Sequence, residues 1–179
     1  MILVLTGPVH GGKTTFLDRS LARWASCGLA LSGFLSVSVT GASGATGYDL
    51  LEFKTGRRHP YIRQEGERGA ERIGPFFFVS STLDLARSII RQTDPSELLI
   101  VDEVGPLELL GGGLWPALQE ALSRPGMRCL LVVREEILED VIVALGQRQS
   151  LIFDVRDPHV QKIMDGSLLG TVTVDDGQS

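Results

Sequence analysis

Gly7-Pro8-Val9-His10-Gly11-Gly12-Lys13-Thr14 is the stretch whose reading decides the fold of this chain. It fits the pattern G-x-x-x-x-G-K-[ST] without gap or mismatch. The apolar run Met1-Ile2-Leu3-Val4-Leu5 precedes it and a helical pattern follows. Strand, glycine loop and helix, in that order, form the context of a phosphate-binding loop; a glycine-rich turn matching by chance need not have those flanks. Glycines let consecutive N–H groups curl into one concavity, and the helix adds its unpaired N–H groups and positive dipole end. Gly7, Pro8, Val9, His10, Gly11, Gly12, Lys13, Thr14 and Thr15 are therefore read as surrounding the phosphates of a nucleoside triphosphate. Lys13 is expected to reach the β- and γ-phosphates, and the Thr14 hydroxyl to ligate Mg²⁺. His10 holds a variable position of the loop and is read as giving only its backbone N–H.

Outward from the loop, buried strands alternate with amphipathic helices. Residues 2–6 read as a strand, and 13–27 as a helix with Phe16, Leu17, Leu21 and Trp24 on one stripe and Gly28 as its stop. Further strands are expected at 34–39, 48–53, 76–79, 98–101, 129–133 and 151–153. Helices are expected after Ser81, read as a cap, around Leu114 to Leu122, around Ile137 to Leu145 and at 158–164. This rhythm predicts an α/β fold: a mostly parallel sheet covered by helices on both faces. Residues 34–79 break the rhythm and read as an antiparallel extension at one edge. One domain over 1–170 is expected, with 171–179 as a frayed tail.

Leu98-Leu99-Ile100-Val101-Asp102-Glu103 is an apolar strand that delivers two carboxylates at its C-terminal end. In a parallel sheet those ends line the ligand crevice. Asp102 is read as the second Mg²⁺ partner, beside Thr14, and Glu103 as the base that prepares an attacking water. The plainer reading of Glu103 is a solvated loop carboxylate. Arg134 follows the strand 129–133. It would sense the γ-phosphate if that strand neighbours the loop strand, and otherwise would pair with Glu135 or Glu136 on the surface. Residues 54–72 hold Lys54, Arg57, Arg58, Arg63, Arg68 and Arg72 among Glu65, Glu67 and Glu71, which reads as a solvated hairpin region or as a flap over phosphates. Glu108 and Trp115 either border the base or simply pack.

The 179 residues carry 17 Lys plus Arg against 22 Asp plus Glu, a net charge of -5, with 43% hydrophobic and 22% charged residues. That composition suits a globular chain and speaks against nucleic acid or an anionic membrane as partner. No apolar run is long enough to span a bilayer, and the first one lacks a basic leader, so the reading is a cytoplasmic protein. Cys27 and Cys129 show no metal-type spacing and read as small core residues.

The chain resembles the small THEP-type nucleoside-triphosphatases, themselves related to RecA-like and nucleotide-kinase-like phosphate-loop proteins. The matching stretches are Gly7 to Thr15, Leu31-Ser32-Gly33-Phe34 and Val101-Asp102-Glu103-Val104-Gly105-Pro106-Leu107-Glu108-Leu109. The resemblance implies slow Mg²⁺-dependent hydrolysis of ATP, GTP and other triphosphates to diphosphate and phosphate. It carries phosphate binding onto Gly7 to Thr14, acidic roles onto Asp102 and Glu103, and a place along the nucleotide onto residues 98–105, Gly105 included. The chain departs from the family at Leu35-Ser36-Val37-Ser38-Val39-Thr40-Gly41-Ala42, which has no charge where relatives carry an Arg. The expected partner is a small-molecule nucleotide, and the expected state a monomer or weak oligomer. A nucleotide or nucleoside kinase and a nucleotide-dependent switch are the alternative functions.

Overall fold

A computed structural model describes residues 1–9, 11–41, 44–66 and 69–170. His10, Ala42, Glu67, Arg68 and the tail 171–179, all read above, lie outside the described residues. The strands are β1 (Ile2–Thr6), β2 (Leu31–Gly41), β3 (Gly44–Glu52), β4 (Arg58–Arg63), β5 (Arg72–Ile73), β6 (Phe76–Phe78), β7 (Leu98–Val104), β8 (Arg128–Val133) and β9 (Ser150–Asp154). The helices are α1 (Lys13–Ser26), α2 (Ser80–Gln92), α3 (Pro106–Leu109), α4 (Trp115–Leu122), α5 (Leu138–Leu145) and α6 (Val160–Leu169).

The strands form one sheet in the order β5-β6-β4-β3-β2-β7-β8-β1-β9. From β2 to β9 every pairing is parallel. From β2 to β5 every pairing is antiparallel. The expected antiparallel edge at 34–79 is present, but the sheet as a whole is mixed instead of mostly parallel. The reason is local: β4 and β5 come from the polar stretch 57–75, whose few apolar residues give a weak strand signal. β4 even accepts Pro60 beside a register shift in its pairing with β3, the kind of irregularity that tolerates a missing N–H.

The continuously apolar strands bury both faces. Leu3, Leu5, Ile100, Leu130 and Val132 meet Leu17 and Trp24 of α1 and Val160, Met164 and Leu168 of α6. Val4, Leu99, Val101, Leu131 and Val133 meet α2, α4 and α5 on the other side. The Trp24 indole N–H donates to Asp165 Oδ1 at 2.8 Å, which locks α6 against α1. Two smaller expectations are corrected. Ser81 is not a cap, because α2 begins at Ser80 behind Val79 and has no side-chain cap. Cys27 is exposed at the end of α1, whereas Cys129 is buried in β8 as expected.

Gly33 holds β2 against β7. Its φ is +112°, and a Cβ there would lie 1.9 Å from the Ile100 carbonyl oxygen. Both the backbone conformation and the space demand glycine. Gly33→Ala is expected to cost about 3 kcal/mol through strain and forced separation of the strands. Urea unfolding would show this as a lower midpoint at unchanged slope.

Candidate functional site

The parallel strands β7, β8 and β1 lie side by side, so their C-terminal ends open on one edge. Gly7 follows β1, Arg134 follows β8, and Asp102 and Glu103 lie near the C-terminal end of β7. Gly12, with φ +87°, makes the left-handed step that lets the loop enter α1 at Lys13. Lys13 is only 7% exposed. Its ammonium donates to the Gly7 and Pro8 carbonyl oxygens, each at 2.8 Å, and so lies folded across the loop.

Thr14 on α1 faces Asp102 on β7: the hydroxyl donates to Asp102 Oδ2 at 3.4 Å. The Ser36 backbone N–H donates to the same oxygen at 3.2 Å, and the Ser36 hydroxyl donates to the Asp102 carbonyl. Asp102 is 2% exposed. Burial pushes its carboxyl up to about 7 and the neighbouring Glu103 charge adds to this, against the Ser36 N–H, Thr14 and Lys13. A hydroxyl and a carboxylate are hard oxygen donors, few in number. They suit Mg²⁺, which keeps most of its ligands as water and phosphate oxygens.

Because β8 pairs with β1, the condition set for Arg134 is met and its side chain reaches the crevice. It pairs there with the Glu103 carboxylate, and not with Glu135 or Glu136 as the surface reading had it. Glu103 is thus half-buried and held by a guanidinium, which corrects its reading as a freely solvated carboxylate. The Gly105 N–H donates to Glu108 Oε2 at 2.9 Å, and the Leu114 N–H to Glu108 Oε1 at 3.0 Å. Glu108 thereby closes the loop after β7 from within; burial raises its pKa and the two N–H groups oppose this. Trp115 is a core residue.

Two hollows flank the loop. One, of about 470 Å³, is lined by Gly12, Thr15, Phe16, Arg19, Val155 and Pro158 among others. The other, of about 400 Å³, lies beyond Val9, Ser36, Glu103, Gly105 and Arg134, and its far wall is made by the antiparallel edge. Sequence reasoning missed this wall and missed Ser36, because an aromatic or Ser in a strand gives no signal of what it faces. Three basic residues of 54–72 turn elsewhere: Lys54 pairs with Glu97, Arg63 with Asp49, and Arg72 stacks over the Phe77 ring at 5.0 Å. That arrangement is the solvated-hairpin reading and not the phosphate flap, for those residues.

Residues 2–165 match the family described as NTPase. The human cancer-related nucleoside-triphosphatase is 27% identical over 172 residues, covering 90% of this chain and 85% of that protein. Nucleoside-triphosphatase THEP1 of Pyrobaculum islandicum is 31% identical over 121 residues, covering 68% and 67%. The crystal structure of THEP1 from Aquifex aeolicus superposes with a TM-score of 0.71 at 18% identity, over 96% of this chain and all of that one (100%). The mixed α/β sheet is thus shared with that structure, and the match over 2–165 shows that the chain belongs to the NTPase family.

Proposed function

We propose that the chain is a Mg²⁺-dependent nucleoside-triphosphatase built as one phosphate-loop domain over residues 1–170 and working in the cytoplasm. The observation that carries this reading is the meeting of Thr14 with Asp102 at 3.4 Å directly behind the Lys13 loop. It supplies a hydroxyl and a carboxylate beside the residue whose ammonium crosses the loop, the set that a bound triphosphate with its metal calls for. Gly7 to Thr15 receive the phosphates. Lys13 leaves the Gly7 and Pro8 carbonyls to neutralise the β- and γ-oxygens. Thr14 and Asp102 would hold Mg²⁺, which when bound neutralises charge on the β- and γ-phosphates. Glu103 takes a proton from the attacking water, and Arg134 orients that carboxylate. The new O–Pγ bond forms in line with the Pγ–O bond that breaks, and diphosphate leaves. The nucleoside lies toward Thr15, Phe16 and Arg19, which follow Thr14 on α1 and line the hollow on that side of the loop.

The test is phosphate release from ATP, GTP, CTP and UTP by wild type and by Lys13→Ala. The expected result is release from several triphosphates, reduced by about 10²-fold or more in Lys13→Ala. Wild type that binds nucleotide but releases no phosphate would overturn the hydrolase reading.

A further inference from the structure

The cavity of about 400 Å³ differs in chemistry from the loop beside it. Its outer wall is aromatic: Tyr48 and Phe76 meet edge to face at 6.3 Å, and Tyr61 and Phe78 at 5.1 Å. Ile73 and Pro75 continue the apolar surface. Glu103, Arg134 and Ser36 line the same cavity and form its polar end. Tyr61 is only 2% exposed, and its ring stands in the cavity wall between Phe34 and Phe78, edge to face with each.

The wall is built and fastened. Arg87 on α2 donates from Nη2 to Glu71 Oε1 at 2.5 Å and from Nε to the Gly113 carbonyl at 2.8 Å. The Gly113 N–H closes the ring on Glu71 Oε2 at 2.7 Å. The Phe78 N–H donates to the Glu71 carbonyl at 2.9 Å. The segment carrying Ile73 to Phe78 is thus tied to α2 and to the loop after β7.

One triphosphate cannot fill both hollows, since the phosphate loop lies between them and its nucleoside is placed toward Thr15. The aromatic cavity lies past the γ-phosphate end, where Glu103 stands. We propose that it is a second-ligand site for a small planar aromatic molecule bearing a hydroxyl. The ring packs among Tyr48, Tyr61, Phe76 and Phe78, and the hydroxyl meets Glu103 and Arg134. Its volume falls in the range of small-molecule sites, and mostly apolar walls with a few converging polar groups are their usual make-up. Occupied, the site displaces water from Glu103, so hydrolysis slows when the aromatic binds. The inference rests on the nucleotide placement proposed above.

The probe is 4-methylphenol, with binding to the full chain followed by saturation-transfer NMR in the absence of nucleotide. Wild type is expected to bind it with a Kd of about 1 mM. Ile73→Trp fills the cavity and should weaken that binding roughly tenfold while ATP affinity stays at the wild-type value. Phe76→Ala is the second variant, should Ile73→Trp not fold: it widens the cavity and should shift preference from 4-methylphenol toward indole. Saturating 4-methylphenol should slow phosphate release by wild type. No binding by wild type, or unaltered binding by Ile73→Trp, overturns the proposal. Displacement of 4-methylphenol by ATP, with weaker ATP binding in Ile73→Trp, also overturns it by placing the base in this cavity. A failure of the hydrolase reading would appear separately, as absent phosphate release beside intact 4-methylphenol binding.

Discussion

Glu103→Gln is expected to lower kcat by about 10²- to 10⁴-fold, the usual worth of a positioned general base, and to leave nucleotide affinity within about threefold of wild type. Glutamine keeps the length of the side chain and an oxygen that the Arg134 guanidinium can still donate to. It cannot accept a proton from water at neutral pH. The loss should therefore fall on the chemical step, and single-turnover phosphate release beside a titration with a fluorescent nucleotide separates the two quantities. Arg134→Ala is the control for positioning. Glu103 keeps its basicity there but loses the group that holds it, so a loss of only about tenfold in kcat fits an orienting role. If Glu103→Gln turned over as fast as wild type, the base would have to be sought elsewhere on the crevice.

Most of the proposed site was legible because phosphate binding calls for residue types at fixed spacing. The sequence singles out Gly7, Lys13, Thr14, the acidic pair at the end of β7 and Arg134 after β8, the residues proposed for the site, and the parallel order β7-β8-β1 brings these to one edge. Illegible were the features that depend on contact between distant segments. Ser36 lies 66 residues from Asp102 yet gives it two hydrogen bonds, and no local pattern marks it. It lies in the uncharged stretch Leu35 to Ala42. The Glu103–Arg134 pair joins the ends of two strands, and sequence alone offered the adjacent Glu135 and Glu136 as equal alternatives to the crevice. The antiparallel half was underestimated because Arg58–Arg63 and Arg72–Ile73 are short and polar, with apolar faces that matter only once packed. Tyr48, Phe76 and Phe78 read as ordinary strand residues and Tyr61 falls in the polar stretch between expected strands, and tertiary pairing alone gathers them around one cavity.

Asp102→Asn is expected to stabilise the metal-free protein at pH 8 and to abolish the stabilisation by Mg²⁺ and nucleotide, two effects of opposite sign from one atom exchange. Asp102 titrates at about 7 in the fold against 3.8 ordinarily, chiefly because it is buried. Between those values the native state holds a proton that the unfolded chain has released, so metal-free stability falls as pH rises from about 4 to about 7 and the cost is complete above that. A displacement of that size corresponds to on the order of 4 kcal/mol as an upper bound. Asparagine avoids the charge but leaves part of the Ser36 and Thr14 hydrogen bonding imperfect, so about 1–2 kcal/mol should be recovered. The same exchange removes the carboxylate that, with Thr14, is proposed to hold Mg²⁺. Thermal melts in EDTA at pH 5 and pH 8, then with Mg²⁺ and a non-hydrolysable triphosphate, check both halves. Wild type should lose stability between pH 5 and pH 8 in EDTA more steeply than Asp102→Asn, and should gain from Mg²⁺ and nucleotide what the variant does not. Equal gains in the two proteins would remove Asp102 from the metal site, whereas a variant less stable than wild type in EDTA at pH 8 would show that its hydrogen bonds outweigh its buried charge.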